Sequence, residues 1–145
     1  MRLKIGLALI AVSVLVTGAA IGQDDPIATR RALMKRNGEE TKVVFDMIRG
    51  TTPFDAGAAA AAMNSLSADL KVLPTLFPLG SDQGDTHASP DIFANMDDFK
   101  ALAARLEADA KAAADASAKG LDALKVAFDT VGADCGACHQ KYRMR

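Results

Sequence analysis

The hydrophobic pattern of the chain divides into helical stripes after the first two dozen residues. Apolar residues recur alternately every four and three positions, which places them on one side of an α-helix. One such stripe comprises Ala59, Met63, Leu66, Leu70, Leu73 and Phe77, and the next comprises Ile92, Met96, Phe99, Ala103, Leu106, Ala110 and Ala113. A later stripe comprises Leu121, Leu124, Phe128, Val131, Cys135, Cys138 and Tyr142. On an earlier helix, Ile27, Met34, Thr41, Phe45 and Ile48 are expected to share the buried face.

Turn-forming residues set the bounds of these helices. The predicted helices run over about residues 26–49, 55–77, 90–119 and 121–143. Asp24 or Asp25 is expected to cap the first helix, and Gly50 is expected to end it. Pro74 should kink or terminate the second helix. Gly, Pro, Asp and Ser dominate residues 78–90, which predicts a polar loop.

Four amphipathic helices of similar length predict an all-α fold, an up-down-up-down four-helix bundle. The composition agrees, because alanine is abundant, Trp is absent and Tyr occurs once. The alternative is a set of helices that belongs to a larger assembly. Alanine-rich helices bury little area each, so such a bundle would gain from another group that fills its centre.

The balance of basic and acidic residues bears on which classes of molecule the protein could bind. The 17 Lys and Arg nearly balance the 18 Asp and Glu, for a net charge of -1. Without a basic excess, binding to DNA or RNA is not expected. Half of the residues are apolar, which is typical of a folded domain and not of a disordered tail.

Residues 1–22 have the pattern of an export signal. Arg2 and Lys4 precede an apolar run of about a dozen residues, and small residues follow it up to Gly22. The apolar run is short of the roughly 20 residues that span a bilayer, which favours cleavage over an uncleaved membrane anchor. The expected product is a single domain over 23–145 without a stable membrane anchor, exported to the periplasm if the source is a bacterium.

Candidate chemistry lies at Cys135, Cys138 and His139, the pattern C-x-x-C-H of c-type haem attachment. Two thiols three residues apart on a helix point the same way, so each can add to one porphyrin vinyl group. The adjacent imidazole can then bind the iron. A thioredoxin-like site would need a βαβ context, and a zinc site would need a second ligand cluster. A disulfide would leave His139 without a role. One covalently attached haem c is therefore predicted.

With this motif near its carboxy end, the chain resembles the class II c-type cytochromes, the group of cytochrome c' and its low-spin relatives. The resemblance spans the predicted mature chain and is carried by residues 131–143 and by the first-helix stretch 30–38. It implies a four-helix bundle with one haem. It also implies a one-electron carrier that transforms no substrate, or alternatively a five-coordinate protein that binds NO or CO. A structural or regulatory haem protein is a weaker third interpretation.

The sixth iron ligand decides between these functions. Helix geometry leaves two methionines near the axial level of His139, namely Met34 and Met96, because Met47 lies roughly 20 Å further along the first helix. Met63 lies well before the end of the second helix, so it is also offset from His139. Met144 lies on the same helix as His139 and cannot reach the opposite side of the haem. The resemblance implies that Met34 is the ligand and that Met96 packs nearby with Phe93 and Phe99.

Arg30 lies one turn before Met34, and its charge suits contact with a haem propionate; the alternative is a solvated side chain. His87, in the polar loop, is expected at the surface. The expected partners are redox proteins. Class II relatives are often dimers through their first two helices, which implies a homodimer and leaves a monomer open.

Overall fold

The computed structural model describes residues 25–144, and the predicted signal peptide at 1–22 lies outside them. The helices are α1 (Pro26–Ile48), α2 (Ala56–Val72), α3 (Asp91–Ala94), α4 (Met96–Ser117) and α5 (Leu121–Tyr142). The four long helices form the predicted bundle, and no strand occurs in the described range. Among its helices, none is long and apolar enough to cross a membrane.

The helix ends follow local chemistry. The Asp25 carboxylate accepts a hydrogen bond of 2.9 Å from the Ile27 N–H at the start of α1. The Asp55 carboxylate does the same for the Ala58 N–H of α2, also at 2.9 Å. Gly50, just beyond α1, has a φ of 73°, a conformation that glycine adopts without strain. After α2, a 3-10 turn over Leu73–Leu76 accommodates the proline that was predicted to end the helix.

The third predicted helix is divided in two. Asn95 has φ -128° and ψ 40°, so it ends α3 and precedes α4. Its side-chain amide donates to the Asp91 carbonyl at 2.9 Å, a local bond that competes with continuation of the helix. The predicted stripe survives the break, because Ile92 and Phe99 on either side of Asn95 are both buried.

The stripes predicted for the second and third segments are confirmed as the core. All six positions from Ala59 to Phe77 are buried, as are the six positions of the third stripe other than Met96, which is partly buried. The last stripe is buried at Leu124, Val131 and Tyr142 and half-buried at its two cysteines.

The stripe predicted for the first helix is wrong. The buried positions of α1 are Arg30, Leu33, Asn37, Val44 and Met47. Met34 is 36% exposed and Phe45 is 47% exposed. The reason is that α1 packs mainly against α2 and has few contacts with α5. One side of the bundle is therefore open between α1 and α5, and the predicted stripe faces that opening at Met34 and Thr41.

Candidate functional site

A cavity of about 540 Å³ lies among the helices, in the size range of cofactor sites. Its apolar wall comprises Leu66, Leu70, Leu73, Phe77, Ala88, Ile92, Phe99 and Leu106. The cavity is lined by all five residues that were predicted from the sequence to hold the haem or its iron: Cys135, Cys138, His139, Met34 and Arg30. The fold thus brings the predicted site residues of α1 and α5 to one cavity.

Cys135 and Cys138 lie on one side of α5, half-buried and not joined in a disulfide. Burial raises the pKa of the Cys135 thiol, and the Asp134 charge adds to the rise. Burial likewise raises the pKa of Cys138, helped by Cys135. Thiols that remain protonated differ from the low-pKa cysteines of thiol–disulfide enzymes. No group of three or more His, Cys, Asp or Glu within residues 25–144 is arranged to hold a metal ion, so the zinc alternative lacks its remaining ligands.

His139 lies in the last turn of α5 and lines the cavity beside the cysteines. Burial lowers the pKa of its imidazole, and the nearby Arg143 charge lowers this pKa further. Both effects favour the neutral ring, whose nitrogen lone pair can bind iron. The surroundings of His139 thus favour the neutral form, which is the form that binds a metal ion.

The end of α5 is fixed to α4 next to this histidine. The Tyr142 hydroxyl donates to the Asp98 carboxylate at 2.5 Å, and the Lys141 ammonium lies 2.8 Å from the same carboxylate. Lys141 and then Tyr142 hold the pKa of Asp98 below its ordinary value. The Tyr142 ring also packs edge-on against Phe99 at 5.4 Å between centroids. His139 is thus carried on a rigid segment, as ligand geometry demands.

Methionine Met34 approaches the cavity from α1, across from the α5 motif. Met96 packs against the core, and neither it nor Phe93 lines the cavity, whereas Phe99 does. Met47 and Met63 are buried in the core away from the cavity lining. Among the methionines of residues 25–144, Met34 is the one that lines the cavity.

Arg30 is 3% exposed and is neither a solvated residue nor a free cation. Its Nη1 donates to the Ser81 hydroxyl at 3.0 Å and the Leu76 carbonyl at 3.3 Å. Its Nη2 donates to the Ser81 carbonyl at 2.6 Å and the Thr86 hydroxyl at 2.9 Å. The guanidinium also lies 4.6 Å from the centroid of the Phe77 ring.

One N–H of the Arg30 guanidinium makes no hydrogen bond within the described part of the chain. A guanidinium carries five N–H donors, and the two terminal nitrogens of Arg30 are used by four bonds. The buried Nε–H has no partner among the described residues. Burial lowers the pKa of Arg30, although an arginine stays charged. Because the Nε atom is buried although the cavity is open, Arg30 contributes its positive charge to the cavity lining and not a free donor.

The charged residues of the lining are all cations: Arg30, Arg31, Lys35 and Arg143. No carboxylate among residues 25–144 lines the cavity, which suits a ligand that carries two propionates. Thiols and an imidazole on one helix, a thioether on another, apolar walls and cationic side chains together fit a haem c.

Sequence reasoning missed several lining residues. His87 is exposed as expected but stands at the cavity rim, and Thr86 of the same loop lines the cavity.

Gly38 and Thr41 line both this cavity and a smaller opening of about 290 Å³ between Phe45 and Phe128. A Cβ at Gly38 would meet no atom within 4 Å. The sequence carried one signal for this part of the lining, namely Gly38 itself. It lies inside a helix, one turn after Met34, where glycine lowers helix stability relative to alanine.

Comparison with known proteins agrees with this site. A family model described as Cytochrome C' matches residues 25–143. The chain is 37% identical over 145 residues to a cytochrome c-556 of Agrobacterium fabrum, covering 100% of this chain and 98% of the relative. It is also 37% identical over 145 residues to a cytochrome c' of Rhodopseudomonas palustris, covering 99% of each. The solved cytochrome c' from Rhodopseudomonas palustris has a TM-score of 0.80 and 36% identity, covering 85% of this chain and 98% of that chain.

Relatives named c-556 and relatives named c' match at the same 37% identity, so likeness does not separate these two subtypes. The likeness to both relatives extends over essentially the full length of this chain. Family match, full-length relatives and bundle structure agree: the chain belongs to the cytochrome c' family and binds haem c.

Proposed function

We propose that this protein is a periplasmic one-electron carrier that transforms no substrate. In this proposal, Cys135 and Cys138 hold haem c covalently, and His139 and Met34 are the axial ligands of its iron. The observation that carries the proposal is that Met34 and His139 line one cavity from different helices. Haem iron supplies a one-electron couple when bound, and a thioether opposite an imidazole raises its reduction potential.

The residues of the chain have separate tasks in this function. The two cysteines fix the position of the prosthetic group on α5, and His139 presents a neutral nitrogen. The apolar wall excludes water, which favours the less charged ferrous state. The positive charge of Arg30 beside the cavity would favour the binding of a propionate.

The alternative is a five-coordinate cytochrome c' that binds NO or CO. It is favoured by the open space beside Met34, where Gly38 leaves the cavity without a side chain. In that case the Met34 thioether would not bind the iron, and a diatomic gas would take the sixth position. The two functions share the same bundle and attachment motif and differ in the state of one ligand.

The proposed compartment rests on the signal-like pattern at residues 1–22 and on relatives that come from bacteria. The proposed partners are redox proteins of that compartment, with no role for nucleic acid and no membrane anchor after cleavage. A homodimer through α1 and α2 belongs to the same proposal. Analytical ultracentrifugation of the holoprotein over a concentration series tests the dimer.

The test of the axial ligand compares the holoprotein with Met34→Ala and, as the matched control, Met96→Ala. Wild type is expected to show sharp reduced α and β bands, a weak ferric charge-transfer band of sulfur ligation, and slow CO uptake. Met34→Ala should lose the charge-transfer band, become high-spin, bind CO readily and have a lower reduction potential.

Met96→Ala should keep the charge-transfer band and lose only packing, by less than the 2–5 kcal/mol of a fully buried site, because Met96 is only partly buried. Loss of the band in Met96→Ala and its retention in Met34→Ala would assign the ligand to α4. A wild type without the band that binds CO at once would establish the gas-binding alternative.

A further inference from the structure

The loop over residues 78–90 is fastened to α1 by two consecutive arginines. Arg30 makes four hydrogen bonds to the segment 76–86, two of them to Ser81 at 3.0 and 2.6 Å and one to Thr86 at 2.9 Å. Arg31 donates to the Asp85 carbonyl at 3.2 Å and forms an ion pair with its carboxylate. Arg30 and Ser81 are both buried, so the two bonds between them are shielded from water, whereas the Arg31–Asp85 contacts are exposed.

The far end of the same loop is fastened to the chain just beyond His139. The Met144 N–H donates to the His87 carbonyl at 2.7 Å, and the Ser89 N–H donates to the Tyr142 carbonyl at 2.9 Å. Ala88 and Arg143 form an isolated antiparallel bridge between these two bonds. The loop therefore connects the amino-terminal part of α1 to the carboxy-terminal end of α5.

This connection matters because α1 and α5 have few direct contacts with each other. The cavity lies between them, with Met34 on one side and His139 on the other. Residues four apart on a helix lie on the same side of it, so Arg30 is the immediate neighbour of Met34. The loop is therefore bonded both to the helix turn that precedes Met34 and to the segment that follows His139.

We infer that Arg30 is a positioning residue, which acts through the loop to hold Met34 at bonding distance from the iron ligated by His139. This inference rests on the proposed axial pair. Three hydrogen bonds of Arg30 go to Ser81 and Thr86 of the loop, and a fourth goes to Leu76 just before it. Most of the hydrogen bonds of the Arg30 side chain are therefore made to the loop.

The test separates the loop contacts from a direct effect on the haem. Ser81→Ala/Thr86→Val removes two hydroxyl acceptors of Arg30 and leaves its charge and its Nε–H in place. Arg30→Lys keeps the charge but cannot make the forked bonds. Thr75→Val is the matched control, since it removes a hydroxyl bonded only locally to the Val72 carbonyl.

The measurements are the ferric charge-transfer band of the Met–iron bond and the CO affinity of the ferrous holoprotein. Ser81→Ala/Thr86→Val and Arg30→Lys are both expected to weaken the band and to raise CO affinity about tenfold, as loss of one to two buried hydrogen bonds allows. Thr75→Val is expected to match wild type. A response in Arg30→Lys alone would overturn the inference and assign Arg30 to the propionate, and a response in neither variant would overturn it as well.

A third readout keeps the inference distinct from the proposed function. Hydrogen exchange of the Ser89 and Met144 amides is expected to be at least tenfold faster in Ser81→Ala/Thr86→Val than in wild type or Thr75→Val. Absence of the charge-transfer band in wild type would refute the proposed axial pair, and the inference with it. Unchanged exchange would refute the loop linkage, even where the axial pair is present.

Discussion

The Arg105 guanidinium on α4 and the Asp134 carboxylate on α5 form an ion pair with a nitrogen–oxygen distance of 3.0 Å, one residue before the cysteine motif. Asp134 is 5% exposed, and its Oδ2 has no hydrogen-bond partner within the described part of the chain. Burial is the main cause that raises the pKa of Asp134, the neighbouring Asp109 raises it further, and Arg105 opposes the rise. The attachment helix is thus fixed to α4 by an ion pair whose carboxylate is costly to keep charged in its buried position.

A pH dependence of stability follows from Asp134. Its pKa is higher in the folded than in the unfolded protein, so its contribution is complete below the unfolded value of ~3.9 and is lost as pH rises through the folded pKa. Asp134→Asn should therefore flatten the fall in melting temperature as pH is raised from about 4 towards neutrality. The control is Asp129→Asn, an exposed carboxylate on the same helix. Identical pH profiles for wild type and Asp134→Asn would contradict this prediction.

Covalent attachment predicts that the pigment stays with the denatured chain. Wild-type protein should retain its haem in acid acetone and on denaturing gels, and Cys135→Ser/Cys138→Ser should release it, because a hydroxyl does not add to a vinyl group under the same conditions. Each single variant should mature in lower yield and keep one thioether. Gly136→Ala, between the cysteines, is the control, since its added Cβ meets no atom within 4 Å. Pigment that washes off the denatured wild type would show that the attachment is not covalent.

Removal of the haem should loosen the bundle. The cavity of about 540 Å³ is walled by core side chains that would lose their packing partner. The haem-free chain is expected to keep its far-ultraviolet helical signal, lose near-ultraviolet dichroism and bind a hydrophobic dye. A cooperative melt of the haem-free chain at the temperature of the holoprotein would disprove this expectation.

Gly38 and Gly132 offer a matched comparison. Both lie inside long helices, and an added Cβ at either meets no atom within 4 Å. Gly132→Ala should stabilise the holoprotein by up to about 1 kcal/mol, the usual helix preference for alanine. Gly38→Ala should gain less or lose stability, because its methyl group enters the lining of the haem cavity. Denaturant unfolding of both holoproteins measures the difference, and equal gains would show that the haem does not approach Gly38.

The parts of the fold that depend on local chemistry were predictable from the sequence. Asp25 caps α1 through a side chain two residues from its partner, and the stripes of α2 and α4 follow directly from helical periodicity. The C-x-x-C-H motif is equally local, so the proximal side of the site was predicted without a structure.

What the sequence did not reveal depends on contacts between distant residues. The buried face of α1 is set by its packing on α2, which leaves Met34 at the cavity instead of in the core. Arg30 is buried because Ser81 and Thr86, which follow it by 51 and 56 residues, supply its acceptors. From the sequence, Arg30 was expected to contact a propionate or to be solvated, and neither expectation indicated partners so distant along the chain. The break at Asn95 was hidden by a hydrophobic stripe that continues across it.

The open side between α1 and α5 has a consequence for maturation. Three helices, α2, α4 and α5, have extensive mutual contacts through α4, whereas α1 reaches α5 mainly through the loop over residues 78–90. A flat macrocycle can therefore approach the cysteines sideways while those three helices stay packed.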